Sequence, residues 1–382
     1  MMRSPASSLV ARRAHTLEAE PGRAIAHLAE QLHASDASAV LLFCCGRYAL
    51  GPLGEAIART IGAPVAACTS AGQVGANGFE RDGITGVSFC SSDLQMRSHL
   101  LSPALRCQSQ AVSLAREQAE RAAQRPGTRS FGVLLVDGLS CGEEYLVTTL
   151  YEALGNVPFV GGSAAASRNH PRPAVYHEGR FFHDAAVLAL FETRGLHFET
   201  FVTQHFVPSE TKLVVTLADP DRRLVHELDG EPAARAYARA IGVPVGQLSS
   251  RHFACHPLLL KLGDQLFPRA IRGQAPDGTL SFGAALEEGL VLSVAQSPDP
   301  VAALERTFAQ LERQLPAPTA LLVFDCMLRR IELEARGLDQ RVGELLARKR
   351  AVGFSGYGEQ IGPLHANHTM TGVAFGTERR GA

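Results

Sequence analysis

Lysine is nearly missing from this chain. It occurs only at Lys212, Lys261 and Lys349, so almost all of the 37 basic residues are arginine, set against 38 acidic ones. Arginine suits bidentate recognition of phosphate or carboxylate, but a GC-rich coding sequence produces the same bias and is the simpler reading. With a net charge of −1, nothing draws the chain toward nucleic acid or an acidic membrane surface, and no arginine run is interleaved with aromatics. No apolar run approaches the ~18 residues that span a bilayer. The opening MMRSPASSLVARRAHTLEAEPG also lacks the apolar stretch of a secretory signal. The expected setting is therefore cytoplasmic, with no membrane and no nucleic-acid partner. The eight cysteines form no CxxC and no zinc-finger spacing; most lie in apolar runs, as reduced core residues do. P-loop, dinucleotide GxGxxG, CxxCH and HExxH signatures are missing too.

What is present is a recurring unit. AVLLFCCG (39–46), FGVLLVDG (131–138) and ALLVFDC (320–326) read as buried strands. Each is followed by a helical stretch and a second strand that ends in small residues: PVAACTSAGQ (64–73), VPFVGGSAAA (157–166) and AVGFSGYGE (351–359). Near-continuous apolar strands separated by helices imply parallel crossovers buried on both faces. Antiparallel strands are expected at 185–193, 197–206 and 212–219, and helices at 22–33, 231–242 and 300–314. The charged, proline-bearing ADPDRR (218–223) reads as a boundary. The fold class is thus α/β: two mixed-sheet domains built on repeated strand-helix-strand units, packed as a layered pseudo-symmetric sandwich. The divisions are a lead-in and helix over 1–35, then 36–220 and 221–382.

In open α/β sheets ligands gather where loops leave the carboxyl ends of strands. The small-residue loops at Ser70, at Gly162 and Ser163, and at Ser355, Tyr357 and Glu359 are candidates to line one pocket; equally, their glycines simply permit tight turns. Gly138-Leu139-Ser140-Cys141-Gly142 matches the GxSxG nucleophile elbow, with Asp325 and His365 downstream in triad order. The alternative is a helix start in which Ser140 caps and Glu143 completes a capping box. His252, Cys255 and His256 stand three and four apart, but Pro257 disfavours the helix that would bring them to one metal. His205 ends an apolar strand between Phe201 and Phe206, a setting that allows either an iron ligand or an edge histidine facing solvent.

GFSGYGEQIGPLHANHTMTGVAFG (353–376) resembles the closing motif of the FIST C domain, and VLLFCCGRY, VAACTSAGQVGANGF, LLVDGLSCGEE and PFVGGSAA resemble the FIST N domain. The similarity spans roughly 35–377 in the family's order. It implies an intracellular sensory protein that binds a small ligand in signal transduction, not an enzyme. TQHFVPSE, FDCMLRRIELEARGL and GFSGYGEQ…LHANHTMTGVAFG are most similar to the nitric-oxide-sensing branch, which implies haem b, nitric oxide and a partner histidine kinase; a homodimer is compatible with it. Gly356 and His368 depart from the pattern, which has threonine and glutamine there. The expected iron ligand is His205 or His365, with His256 behind them. The rivals are a haem-free FIST receptor for an amino acid or similar metabolite, and a serine hydrolase built on Ser140.

Overall fold

The computed structural model describes residues 8–166 and 171–376. Each expected pair of apolar strands lies side by side and parallel: Ala39–Cys45 with Val65–Ser70, Arg129–Asp137 with Phe159–Ala164, and Ala320–Cys326 with Ala351–Gly356. The connecting helices are Leu50–Thr60, Glu143–Leu154, and the pair Met327–Ala335 and Asp339–Arg348. On its other side each leading strand meets an antiparallel return strand: Ile84–Cys90, Ala186–Thr193 or Met370–Gly376. An outer strand completes that edge: Val10–Thr16, Leu94–Leu101 or His197–Thr203.

The three units then exchange hairpins. The hairpin after Val65–Ser70 (Gln73–Gly75 and Gly78–Glu80) leaves its own sheet and pairs with Ala351–Gly356. The one after Ala351–Gly356 (Glu359–Ile361 and Leu364–Ala366) joins Phe159–Ala164, and the one after Phe159–Ala164 (Val175–His177 and Arg180–Phe182) joins Val65–Ser70. The result is three six-stranded sheets of the same strand pattern, each completed by another repeat. No repeat can satisfy its own sheet edge alone.

The inner faces of the three sheets share one core. Phe43 packs on Phe354 at 5.1 Å, Phe131 stacks on Phe191 at 4.8 Å, and Phe89 meets Phe375 at 4.8 Å. Burying each such ring contributes roughly 1.5–3 kcal/mol. Helices cover the outer faces: Pro21–Gln31 and Leu50–Thr60 on the first sheet, Gln108–Gln124 and Glu143–Leu154 on the second, Pro300–Gln314 and Asp339–Arg348 on the third. The α/β class holds, and its pseudo-symmetry is threefold.

Between His197–Thr203 and Pro300–Gln314 the third repeat carries an insertion. Its strands, from Val207–Asp219 to Val291–Gln296, curl into an eight-stranded antiparallel half-barrel with its own core of Leu213, Val225, Tyr237, Leu258 and Phe282. Residue 220, the expected boundary, lies in the turn between Val207–Asp219 and Leu224–Leu228, inside this sheet. The charge and proline there mark a hairpin, with Arg223 at a left-handed φ of 55°. The expected lead-in also differs. Residues 1–7 lie outside the described residues, and Val10–Thr16 is an ordered edge strand paired with Ile84–Cys90.

Candidate functional site

The parallel geometry brings the three small-residue loops together at the carboxyl ends of the strands. They interlock through backbone: Ala71 N–H donates to Ser355 O (2.9 Å), Ser355 N–H to Gly72 O (2.8 Å), Tyr357 N–H to Ser163 O (2.9 Å), Ser163 N–H to Gly358 O (2.8 Å) and Ala165 N–H to Thr69 O (3.1 Å). Ser70, Gly162, Ser163, Ser355 and Glu359 are all buried. Ser70 Oγ accepts from Gln73, and Ser163 Oγ from Gln360 (2.8 Å). A Cβ at Gly162 or Gly356 would run into the Phe354 ring. The loops therefore meet, but they fill the space between them. Tyr357, half-buried at the rim, lies under the Arg272 guanidinium at 5.1 Å.

Ser140 does not cap the helix, and among the described residues no hydrogen bond joins it to a histidine. The helix starts at Glu143 with Gly142 as its cap residue and no side-chain cap; Ser140 Oγ only accepts from Gly142 N–H at 3.4 Å. Glu143 is drawn instead to Arg223 of the insertion (2.7 Å), which also holds Glu144. The positive charge of Arg223 competes with a capping box for that carboxylate and wins.

A buried charged layer sits where the insertion joins the core. Arg329, Glu332 and Arg336 recur at three- and four-residue spacing along one face of the Met327–Ala335 helix and its C-cap, and Asp325 stands four residues before Arg329 at the end of the preceding strand. Arg329 donates to Asp325 (2.9 Å) and to His205 Nδ1 (3.0 Å). With Nδ1 accepting, His205 is neutral, and its Nε2–H donates to Glu332 at 2.9 Å. Burial holds His205 below the ordinary histidine value despite Glu332. Glu332 also accepts from Ser297 Oγ and from Arg336 (3.0 Å). His205 precedes the insertion and Ser297 follows it, so this one carboxylate pins both connections. Burial of His368 beside these groups depresses it to about 3. Burial, with Asp325 nearby, pushes Glu359 well above the carboxylate range, while Thr369 donates to it through both N–H (3.1 Å) and Oγ (2.7 Å).

His365 lies apart from that layer. Its Nε2 meets Gly283 O of the insertion at 3.1 Å, and Nδ1 faces Gln360 Nε2 at 3.5 Å. His256 caps the short Ser250–Cys255 helix, with its carbonyl accepting from Tyr237 Oη at 2.9 Å. Beside these elements a cavity of about 250 Å³ opens between the Glu359–Ile361/Leu364–Ala366 hairpin of the core and the Gln265–Arg269 strand of the insertion. Val202, Phe267, Ile361 and Leu364 give it apolar walls; Gln204, Arg269, Asn367 and Thr369 are its polar points. Asn367 Oδ1 and Arg269 Nε are buried there without a hydrogen-bond partner. Sequence reasoning missed Arg269, which belongs to no recognisable motif, and Asn367, whose place in the 353–376 motif did not single it out from its histidine neighbours.

The residues present do not fit haem. Both ring nitrogens of His205 are engaged by charged groups, and Nε2 of His365 is held by a carbonyl. None of His205, His256 and His365 lines the cavity, which is smaller than the ~300–1,000 Å³ typical of sites for drug-sized ligands. Among the described residues no His, Cys, Asp and Glu cluster is arranged to hold a metal ion, and no helix is long and apolar enough to cross a membrane.

A sheet-bounded core, an inserted half-barrel and a cleft between them define a two-body architecture. Residues 38–231 match the FIST N domain and residues 233–362 the FIST C domain, so the chain belongs to the FIST family. FIST domains are associated with the sensing of small ligands in signal transduction rather than with catalysis. No curated protein matches the chain in sequence.

Proposed function

We propose that this chain senses a small ligand held in the cleft between the three-sheet core and the inserted half-barrel, and signals by moving the insertion about its two connections. The observation that carries this reading is the shared wall. Core residues Ile361, Leu364 and Asn367, insertion residues Phe267 and Arg269, and the connecting residue Gln204 face one cavity. A ligand that touches both bodies binds the closed arrangement better than an open one, which is the condition for a population shift. Gln204 adjoins His205, so closure is coupled to the charged layer that pins the hinge.

The test is thermal-shift screening of small metabolites against the wild type and Ala366→Trp, which fills the cavity. Ligands that raise the wild-type melting temperature and leave Ala366→Trp unmoved support the site. Ligands that stabilise both proteins equally place binding elsewhere. Haem b, nitric oxide and a histidine kinase belong to a rival reading. It would be restored by a stoichiometric Soret band that shifts on nitric oxide and is lost in His205→Ala or His365→Ala.

A further inference from the structure

We infer that the ligand of this cleft is a small monocarboxylate with an apolar body, its carboxylate held by Arg269; the inference rests on the cleft being the site. Arg269 ends the Gln265–Arg269 strand and lines the cavity. Its guanidinium has no hydrogen-bond or ion-pair partner among the described residues, and its Nε is buried. The guanidinium carbon lies 5.9 Å from the ring centroid of Phe267. A buried Nε–H that keeps no acceptor is costly, whereas a carboxylate met by Nε–H and a second, parallel N–H of the same guanidinium recovers that cost with defined geometry.

The surroundings leave this role to a ligand. Glu144, the acidic group in electrostatic reach of Arg269, is already taken by Arg223 and by Ala285 N–H (3.0 Å). Behind Thr369, burial pushes Glu359 well above the carboxylate range, which disfavours a negative charge there. Beside the uncharged polar groups of Gln204, Gln265, Asn367 and Thr369, the wall is hydrocarbon: Val202, Leu266, Phe267, Pro268, Ile361 and Leu364. At ~30 Å³ per water, the 250 Å³ cavity equals about eight waters, room for an aromatic or branched body of about ten heavy atoms. A phosphate or a polycarboxylate would place further charge against these apolar walls with one cation to meet it.

Phenylacetate, phenylacetamide and phenethylamine share a body and differ in the charge of the head, which makes them suitable probes. Calorimetric titration of the full chain is expected to show phenylacetate binding at least tenfold tighter than the other two. Arg269→Gln should weaken phenylacetate about tenfold or more and leave phenylacetamide unchanged, while Arg269→Lys retains part of the preference. Circular dichroism establishes that each variant is folded. Equal binding of the three probes, or phenylacetate binding indifferent to Arg269→Gln, overturns the carboxylate assignment and leaves the cleft standing. If none of the probes binds the wild type, the assignment also falls. If, in addition, metabolites that bind ignore Ala366→Trp, the cleft falls with it.

Discussion

Replacing Glu332 by glutamine removes one charge from the layer that pins both connections to the insertion. Glu332 is fully buried and accepts from His205, Ser297 and Arg336. Despite burial, the His205 donation foremost and the nearby cations bring it from 4.5 down to about 2. That difference corresponds to roughly 3 kcal/mol, at the lower end of the ~3–5 kcal/mol typically lost when a buried pair is broken. Because the folded state binds this proton more weakly, the stabilisation is complete above the unfolded value of 4.5 and fades as pH falls toward 2. Glu332→Gln should therefore lower the unfolding free energy by about 3 kcal/mol at pH 7 and by less than about 1 kcal/mol at pH 2.5. Urea denaturation read at constant m-value measures both. A loss under about 1 kcal/mol at pH 7, or one that does not change with pH, would refute the reasoning.

Other consequences are equally open to measurement. His368, depressed to about 3, is neutral in the fold, so the unfolded chain takes up its proton first and stability falls from pH 6.5 downward. His368→Asn, which tolerates the left-handed φ of 53°, should flatten that slope in pH-dependent unfolding; an unchanged slope would contradict the assignment. Phe354→Ala removes the ring shared by Phe43 and Phe324 and should cost about 3–5 kcal/mol in the same assay. Gly161→Ala and Gly353→Ala would each drive a Cβ into the carbonyl of the neighbouring parallel strand, at Leu134 and Val323, and should abolish soluble expression or cost about 3 kcal/mol or more.

The repeating unit was legible because its physics is local. ALLVFDC and the 300–314 helix fall where apolar run length and periodicity put them, at Ala320–Cys326 and Pro300–Gln314. The hairpin exchange was not legible. QVG and GFE, or EQI and LHA, are three-residue strands whose partners are set by close packing of distant repeats, and three residues carry no periodicity. Val10–Thr16 was missed because VARRAHT puts two adjacent arginines in an edge strand; they point to opposite faces, and Arg13 is accommodated by donating to Ala351 O (2.9 Å). The charged layer was written in the sequence as Arg329, Glu332 and Arg336 on one helical face, with Asp325 four residues before them at the end of a strand. Its role depends on His205 and Ser297, more than a hundred and about 35 residues away from Glu332 respectively, which only the insertion's connections bring near.

Crystallographic fragment screening tests the central claim most directly, because it asks the protein where small molecules reside without choosing the ligand beforehand. Bound fragments are expected between Phe267 and Leu364, acids among them with their carboxylates on Arg269. Fragments gathered instead at the polar hollow around Arg125 and Glu192, or in the groove by Tyr176 and His99, with the cleft empty, would contradict it.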